Sequence, residues 1–135
     1  HQKYTEYFST MVKGIKTGLF DMVAHLDIVK RPDHPVLDTN EEDVELVLES
    51  AKEAGMSIEL NTSGLRKDIK QTYPSLAIIK RAVAYGIPIV LSSDAHRTMH
   101  VGYQFDPSLN RLFGFPGLQL AQYRQRNLIT KIPQQ

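Results

Sequence analysis

The 135 residues and 41% apolar content supply enough material for one core, so one domain, or part of one, is expected. With 16 basic against 15 acidic side chains, a formal net charge of +1 and no basic block, the chain lacks the charge signature of a nucleic-acid or membrane-surface partner. No cysteine occurs, which excludes disulfides, thiolate ligands and thiol nucleophiles, leaves any metal to His, Asp and Glu, and fits a reducing, cytoplasmic setting.

Tyr4, Tyr7, Phe8, Met11, Val12 and Ile15 recur at intervals of three and four, which predicts an amphipathic helix over residues 3 to 18 that stops at Gly18. A strand from Leu19 to Ala24 is expected next, delivering His25 at its C-terminal end before a loop with Pro32 and Pro35. Thr39 and Glu42 have the spacing of a capping box, and Val44, Leu46, Val47, Leu48 and Ala51 form the buried face of a helix closed by Gly55. Met56 to Asn61 reads as the second strand, followed by a polar loop over residues 62 to 67. Tyr73, Pro74 and Ser75 open a third helix that runs through Ile78, Ile79 and Val83 to Gly86. The apolar run Ile87, Pro88, Ile89, Val90 and Leu91 is the third strand, ending at Asp94 and His96. Beyond it a short helix is expected from Pro107 to Phe113, while Leu118 to Ile132 suits either a strand or a helix.

Strand ends recur about every 35 residues, the period of a βα unit, so an α/β fold with parallel strands and helices packed outside them is expected. Right-handed crossovers return each strand in the same direction, which gathers His25, Asn61 and Asp94 at one mouth. There, if the chain stays extended, Asp94 and His96 point to the same side. A hard oxygen and a borderline nitrogen suit Zn, Mn or Fe, and with His25 the mouth holds three candidate ligands, the minimum for a catalytic metal with an open position. The fork of Arg66 can grip a phosphate in two places. Lys30 and Arg31 occupy the corresponding loop after the first strand and add cationic groups, and Ser63 and Thr62 beside Gly64 add hydroxyl or backbone donors. Asp27 could orient His25 as a hydrogen-bond acceptor, although a turn role is the more ordinary one. His100 reads equally well as a plain loop residue. No GxxxxGK[ST] is present, so a P-loop is excluded.

Together, Phe20-Asp21-Met22-Val23-Ala24-His25-Leu26-Asp27, Glu59-Leu60-Asn61-Thr62-Ser63-Gly64-Leu65-Arg66-Lys67, Tyr73-Pro74-Ser75 and Ser92-Ser93-Asp94-Ala95-His96-Arg97, with Val101-Gly102 and Phe105-Asp106, closely resemble the polymerase and histidinol phosphatase (PHP) superfamily, specifically its histidinol-phosphatase branch. The resemblance covers about residues 4 to 115. It implies the C-terminal portion of a distorted (β/α)7 TIM-like barrel, with residues 1 to 135 as a single partial PHP domain and the tail from 116 to 135 left open. It also implies two or three divalent transition metals (Zn, Mn or Fe) at the mouth of the complete site, hydrolysing a small phosphorylated substrate. His25, Asp94 and His96 match metal ligands, Arg66 a phosphate clamp and Arg31 a less certain second clamp, so Asp94, His96 and Arg66 are the expected catalytic residues and Arg66, Arg31 and Ser63 the expected substrate contacts.

The family's opening His-x-His and several further ligands would lie upstream of residue 1, and no His-x-His occurs here. The chain opens at His1 and has neither a signal-type segment nor an apolar run near the ~18 residues of a membrane span, so it reads as a soluble piece of something longer. Histidinol phosphate is the expected substrate. Another phosphoester, or a non-catalytic fragment lacking the upstream ligands, are the alternatives, and copies are expected to associate through open barrel edges.

Overall fold

The computed structural model describes residues 4–132. Its elements are α1 (Thr5–Lys16), β1 (Met22–Val23), α2 (Val36–Glu53), β2 (Ser57–Asn61), α3 (Leu76–Ala84), β3 (Ile89–Ser92), α4 (Phe105–Leu112), β4 (Leu120–Arg124) and β5 (Asn127–Lys131). They form an α/β fold around one five-stranded sheet in the order β1-β2-β3-β4-β5. The first four strands pair in parallel, and β4 turns back on β5 as an antiparallel hairpin. Helices α2 and α3 pack against β2 and against each other.

Alternation along β2 sorts its side chains between the two faces. Ile58 and Leu60 join a core made with Val44, Val47 and Leu48 of α2, Ile78 and Ile79 of α3, and Phe8 and Ile15 of α1. Ser57, Glu59 and Asn61, on the opposite side, are also buried. Ser57 shares a hydrogen bond of 2.8 Å with the Tyr123 hydroxyl, which donates to the Asp21 carbonyl at 2.6 Å. Arg126, in the β4–β5 turn, grips the Asp21 carboxylate with Nε at 2.8 Å and Nη2 at 3.0 Å, so the hairpin reaches back to the start of β1.

Three expectations need correction. The first strand is shorter than the apolar run suggests: Leu19 and Phe20 are 69% and 59% exposed, because only Met22 and Val23 find partners, in Ser57 and Ile58. Thr39 and Glu42 do not start α2, which begins at Val36 after Pro35. Instead α2 kinks at buried Asn40 (φ −135°), whose amide donates to Asp43 Oδ2 at 2.7 Å while its carbonyl oxygen accepts from the Thr39 hydroxyl. The tail is two strands, joined by Gln125 and Arg126 at φ 48° and 65°, the left-handed pair that a tight hairpin turn requires.

Helix α1 is fastened to the loop after β1 by the Tyr7 hydroxyl, which donates to the Leu26 carbonyl at 3.1 Å. Burial, aided by the nearby Asp27 charge, pushes the Tyr7 phenol from its usual value near 10 up to about 12. The folded value lies above the unfolded one, so this contribution is complete below about 10 and disappears as pH rises through about 12. Alkaline unfolding of the wild type is therefore expected to include a step in that window that Tyr7→Phe lacks. Phenolate absorbance followed against pH reads the difference; identical titrations in the two proteins would contradict it.

Candidate active site

The C-terminal ends of β1, β2 and β3 lead into His25, a 3-10 turn over Thr62–Arg66, and the segment from Ser93 to His96. The gathering of these three strand ends at one edge of the sheet agrees with the spacing argument. It is the edge where parallel α/β proteins keep their chemistry.

His25 adopts φ 28°, a left-handed value that a side chain disfavours. Its backbone N–H donates to Glu59 Oε2 at 2.6 Å, and its ring Nδ1 is buried without a hydrogen-bond partner. Asn61 Nδ2 donates to the same Glu59 oxygen at 3.3 Å, while Asn61 Oδ1 accepts from the Ser63 N–H at 2.9 Å and so starts the 3-10 turn. The Thr62 hydroxyl donates to the Ser92 carbonyl at 3.3 Å. Ser63 is buried and its N–H is spent on Asn61, so of the expected hydroxyl or backbone donors the Ser63 N–H is already used inside the protein.

Arg66, at the end of that turn, spans the neighbouring loop. Its Nη1 donates to the Ser93 carbonyl at 2.9 Å and its Nη2 to the Asp94 carbonyl at 3.2 Å, and the guanidinium lies 5.4 Å from the Tyr103 ring centroid. Asp94 adopts φ 47°, and its carboxylate is 41% exposed beside the 76% exposed His96 ring, Oδ1 to Nδ1 3.9 Å. His96 Nδ1 lies 2.8 Å from the Asp94 carbonyl oxygen. A carbonyl only accepts, so His96 donates through Nδ1, and Nε2 is the ring nitrogen left for a ligand. His100 stands in the next 3-10 turn, Thr98–His100; burial and then the charges of Arg66, Arg97 and His96 lower its pKa.

Several expectations do not converge here. Among the described residues no group of three or more His, Asp or Glu side chains is arranged to hold a metal ion, so His25 shares the edge with Asp94 and His96 without closing a three-ligand cluster with them. Arg31 bridges to His34 and lines a separate cleft of about 360 Å³ with Tyr4, Tyr7 and Val29, which none of His25, Arg66, Asp94 or His96 lines. Asp27 does not orient His25. It is buried against Lys30 Nζ at 3.0 Å and accepts from the Ser75 N–H at 3.0 Å, while Lys30 also donates to the Thr72 carbonyl and so faces inward, away from any phosphate. Sequence reasoning missed Glu59 and Tyr103. Glu59 carried a signal, a charge at the centre of an otherwise apolar strand; Tyr103 carried none.

No family model matches the chain. A probable histidinol-phosphatase of Deinococcus radiodurans is 30% identical over 125 residues, covering 93% of this chain and 47% of that protein. The histidinol-phosphatase of Bacillus subtilis is 39% identical over 69 residues, 50% of this chain and 26% of the relative. Over the aligned residues the chain is similar to histidinol-phosphatases. It spans about half the length of the Deinococcus relative. The crystal structure of a candidate histidinol phosphatase, hisK, from Listeria monocytogenes superposes on this chain with a TM-score of 0.64 at 22% identity, covering 78% of this chain and 45% of that one, a likeness of fold. No helix among the described residues is long and apolar enough to cross a membrane.

Proposed function

We propose that this chain carries one side of a metal-dependent phosphomonoesterase site that hydrolyses histidinol phosphate to histidinol and phosphate, a step of histidine biosynthesis. The observation that carries the reading is the fastening of Arg66 to the carbonyls of Ser93 and Asp94, which seats a guanidinium beside Asp94 and His96. Among the described residues nothing takes the other N–H groups of that guanidinium, Nε included, which leaves them for phosphate oxygens. The four parallel strands in consecutive order are read as successive units of a distorted (β/α)7 barrel, whose remaining units would complete the mouth.

The donors present fit a divalent transition ion in part. Asp94 offers a carboxylate that is 41% exposed beside the His96 ring, His96 offers Nε2, and His25 keeps a ring nitrogen that no described residue satisfies. Those three residues would contribute ligands for Zn, Mn or Fe once the remaining units complete the mouth. Such an ion would supply Lewis acidity, which lowers the pKa of bound water toward ~7. Arg66 orients the phosphate and stabilises charge on its equatorial oxygens, since phosphoryl transfer is chiefly positioning and electrostatics. A cytoplasmic location, and association of copies through the sheet edges at β1 and β5, belong to the same reading.

The absence of a closed three-ligand cluster among the described residues favours a second reading, a chain that binds phosphate but lacks turnover by itself. One experiment separates them. Metal content per chain is measured by elemental mass spectrometry after dialysis against metal-free buffer, and phosphate release is then followed from histidinol phosphate and from a nucleoside monophosphate. About one ion per chain with metal-dependent release from histidinol phosphate is expected. Release from the nucleotide alone overturns the substrate, and neither metal nor release leaves the second reading.

A further inference from the structure

We propose that Glu59 is a positioning residue of this site, holding His25 in the backbone conformation that aims its ring at the mouth. The inference rests on the phosphatase reading, because His25 is assigned to the site there. Glu59 lies at the centre of β2 and is 5% exposed. Among the described residues no cationic side chain pairs with it; the donors that reach its carboxylate are the His25 N–H at 2.6 Å and the Asn61 amide at 3.3 Å, both on Oε2. A buried carboxylate with no counter-ion is tolerated only where such donors compensate it, and here one of them is the backbone of a candidate ligand.

His25 needs this support. Its φ of 28° is one that a side chain adopts only when the surroundings impose it, and its Nδ1 makes no hydrogen bond that could orient the ring. Ring orientation is therefore inherited from the backbone, and the short, charge-assisted bond to Glu59 is what sets that backbone. The same oxygen steadies Asn61, whose Oδ1 opens the turn carrying Arg66, and Arg66 in turn holds the carbonyls of Ser93 and Asp94. One carboxylate thus stands where the ends of β1, β2 and β3 are tied together. Such outer partners of ligating residues typically shift metal affinity or activity by about 10- to 100-fold when replaced.

The test compares Glu59→Gln, which keeps an acceptor oxygen of similar shape but no charge, and Glu59→Ala with the wild-type chain. Three quantities are read: zinc affinity by titration with the metal alone, the NMR signal and hydrogen exchange of the His25 amide, and thermal unfolding. Glu59→Gln is expected to melt as a folded protein, to lose about tenfold in zinc affinity, and to show a His25 amide that exchanges faster and moves upfield; Glu59→Ala is expected to lose about 100-fold. Unchanged zinc affinity with an unchanged His25 amide overturns the proposal, as does an affinity loss that only tracks unfolding. If the wild-type chain binds no zinc, the phosphatase reading loses its support from this chain, and the His25 amide alone decides: faster exchange in Glu59→Gln upholds the positioning contact and unaltered exchange refutes it.

Discussion

Gly64→Ala is expected to destabilise the protein by about 3 kcal/mol or more, the upper part of the cost of overpacking and a large share of the ~5–15 kcal/mol by which a domain of this kind is stable. A Cβ on Gly64 would lie 2.0 Å from the Gln71 carbonyl oxygen and 2.9 Å from Cε2 of the Tyr73 ring. Neither neighbour can step aside cheaply. The Gln71 oxygen is backbone, and the segment that follows it is bridged to β2 by the Asn61 N–H donating to the Tyr73 carbonyl at 2.7 Å and the Tyr73 N–H donating to the Asn61 carbonyl at 2.9 Å. Gly64 also sits two residues before Arg66, so a shift that relieves the clash pulls the guanidinium away from Ser93 and Asp94. Gly14 is the control: a Cβ there meets nothing within 4 Å in mid-helix, so Gly14→Ala is expected to stabilise by about 0.5–1 kcal/mol. Chemical denaturation of the two variants checks both signs. A Gly64→Ala protein within ~1 kcal/mol of wild type would mean that the 3-10 turn is far more pliable than its hydrogen bonds imply.

Lys30→Ala is expected to cost about 3–5 kcal/mol, because removing one partner of a buried ion pair leaves the other charged and unsolvated. Asp27 is 1% exposed, and its Oδ1 already lacks a partner. Burial raises the Asp27 pKa against the opposing pull of Lys30, and burial lowers that of Lys30 against the pull of Asp27, so desolvation is the larger effect on both members. Replacing both members therefore costs less than removing one: Lys30→Met with Asp27→Asn is expected to recover most of the loss, which a double-mutant cycle by denaturant unfolding measures. The Lys30→Ala deficit is also expected to shrink on acidification. A carboxyl whose folded pKa is raised binds its proton more tightly in the folded state, so stability recovers as pH falls through that pKa and is lost as pH rises. A single variant as stable as wild type at neutral pH would show that the pair is hydrated. The ion pair also has a structural consequence, since Asp27 receives the Ser75 N–H at the start of α3 and Lys30 reaches Thr72, locking the loop after β1 to the segment that leads into α3.

The order of elements was legible in the sequence because it depends on local patterns. Apolar stripes at helical spacing, short apolar runs and the glycines Gly55 and Gly86, both at positive φ where helices end, placed α1, α2, β2, α3 and β3 within a few residues. The meeting of His25, Asn61 and Asp94 at one edge was legible too, since the handedness of βα crossovers needs no knowledge of side-chain contacts. Pairing across long separations was not. That β1 shrinks to Met22 and Val23, and that the tail becomes a hairpin held to Asp21 by Arg126, depends on residues as many as 105 positions apart. Partner choice at the site was equally hidden: Asp27 takes Lys30 and Ser75 in place of His25, Arg66 takes two carbonyls, and buried Glu59 takes the His25 backbone. The sequence by itself determined which groups reach the mouth, because period and chirality act along the chain. Only the tertiary structure decided what each group binds, because hydrogen-bond partners are set by which backbone and side-chain atoms the packed loops bring within about 3 Å.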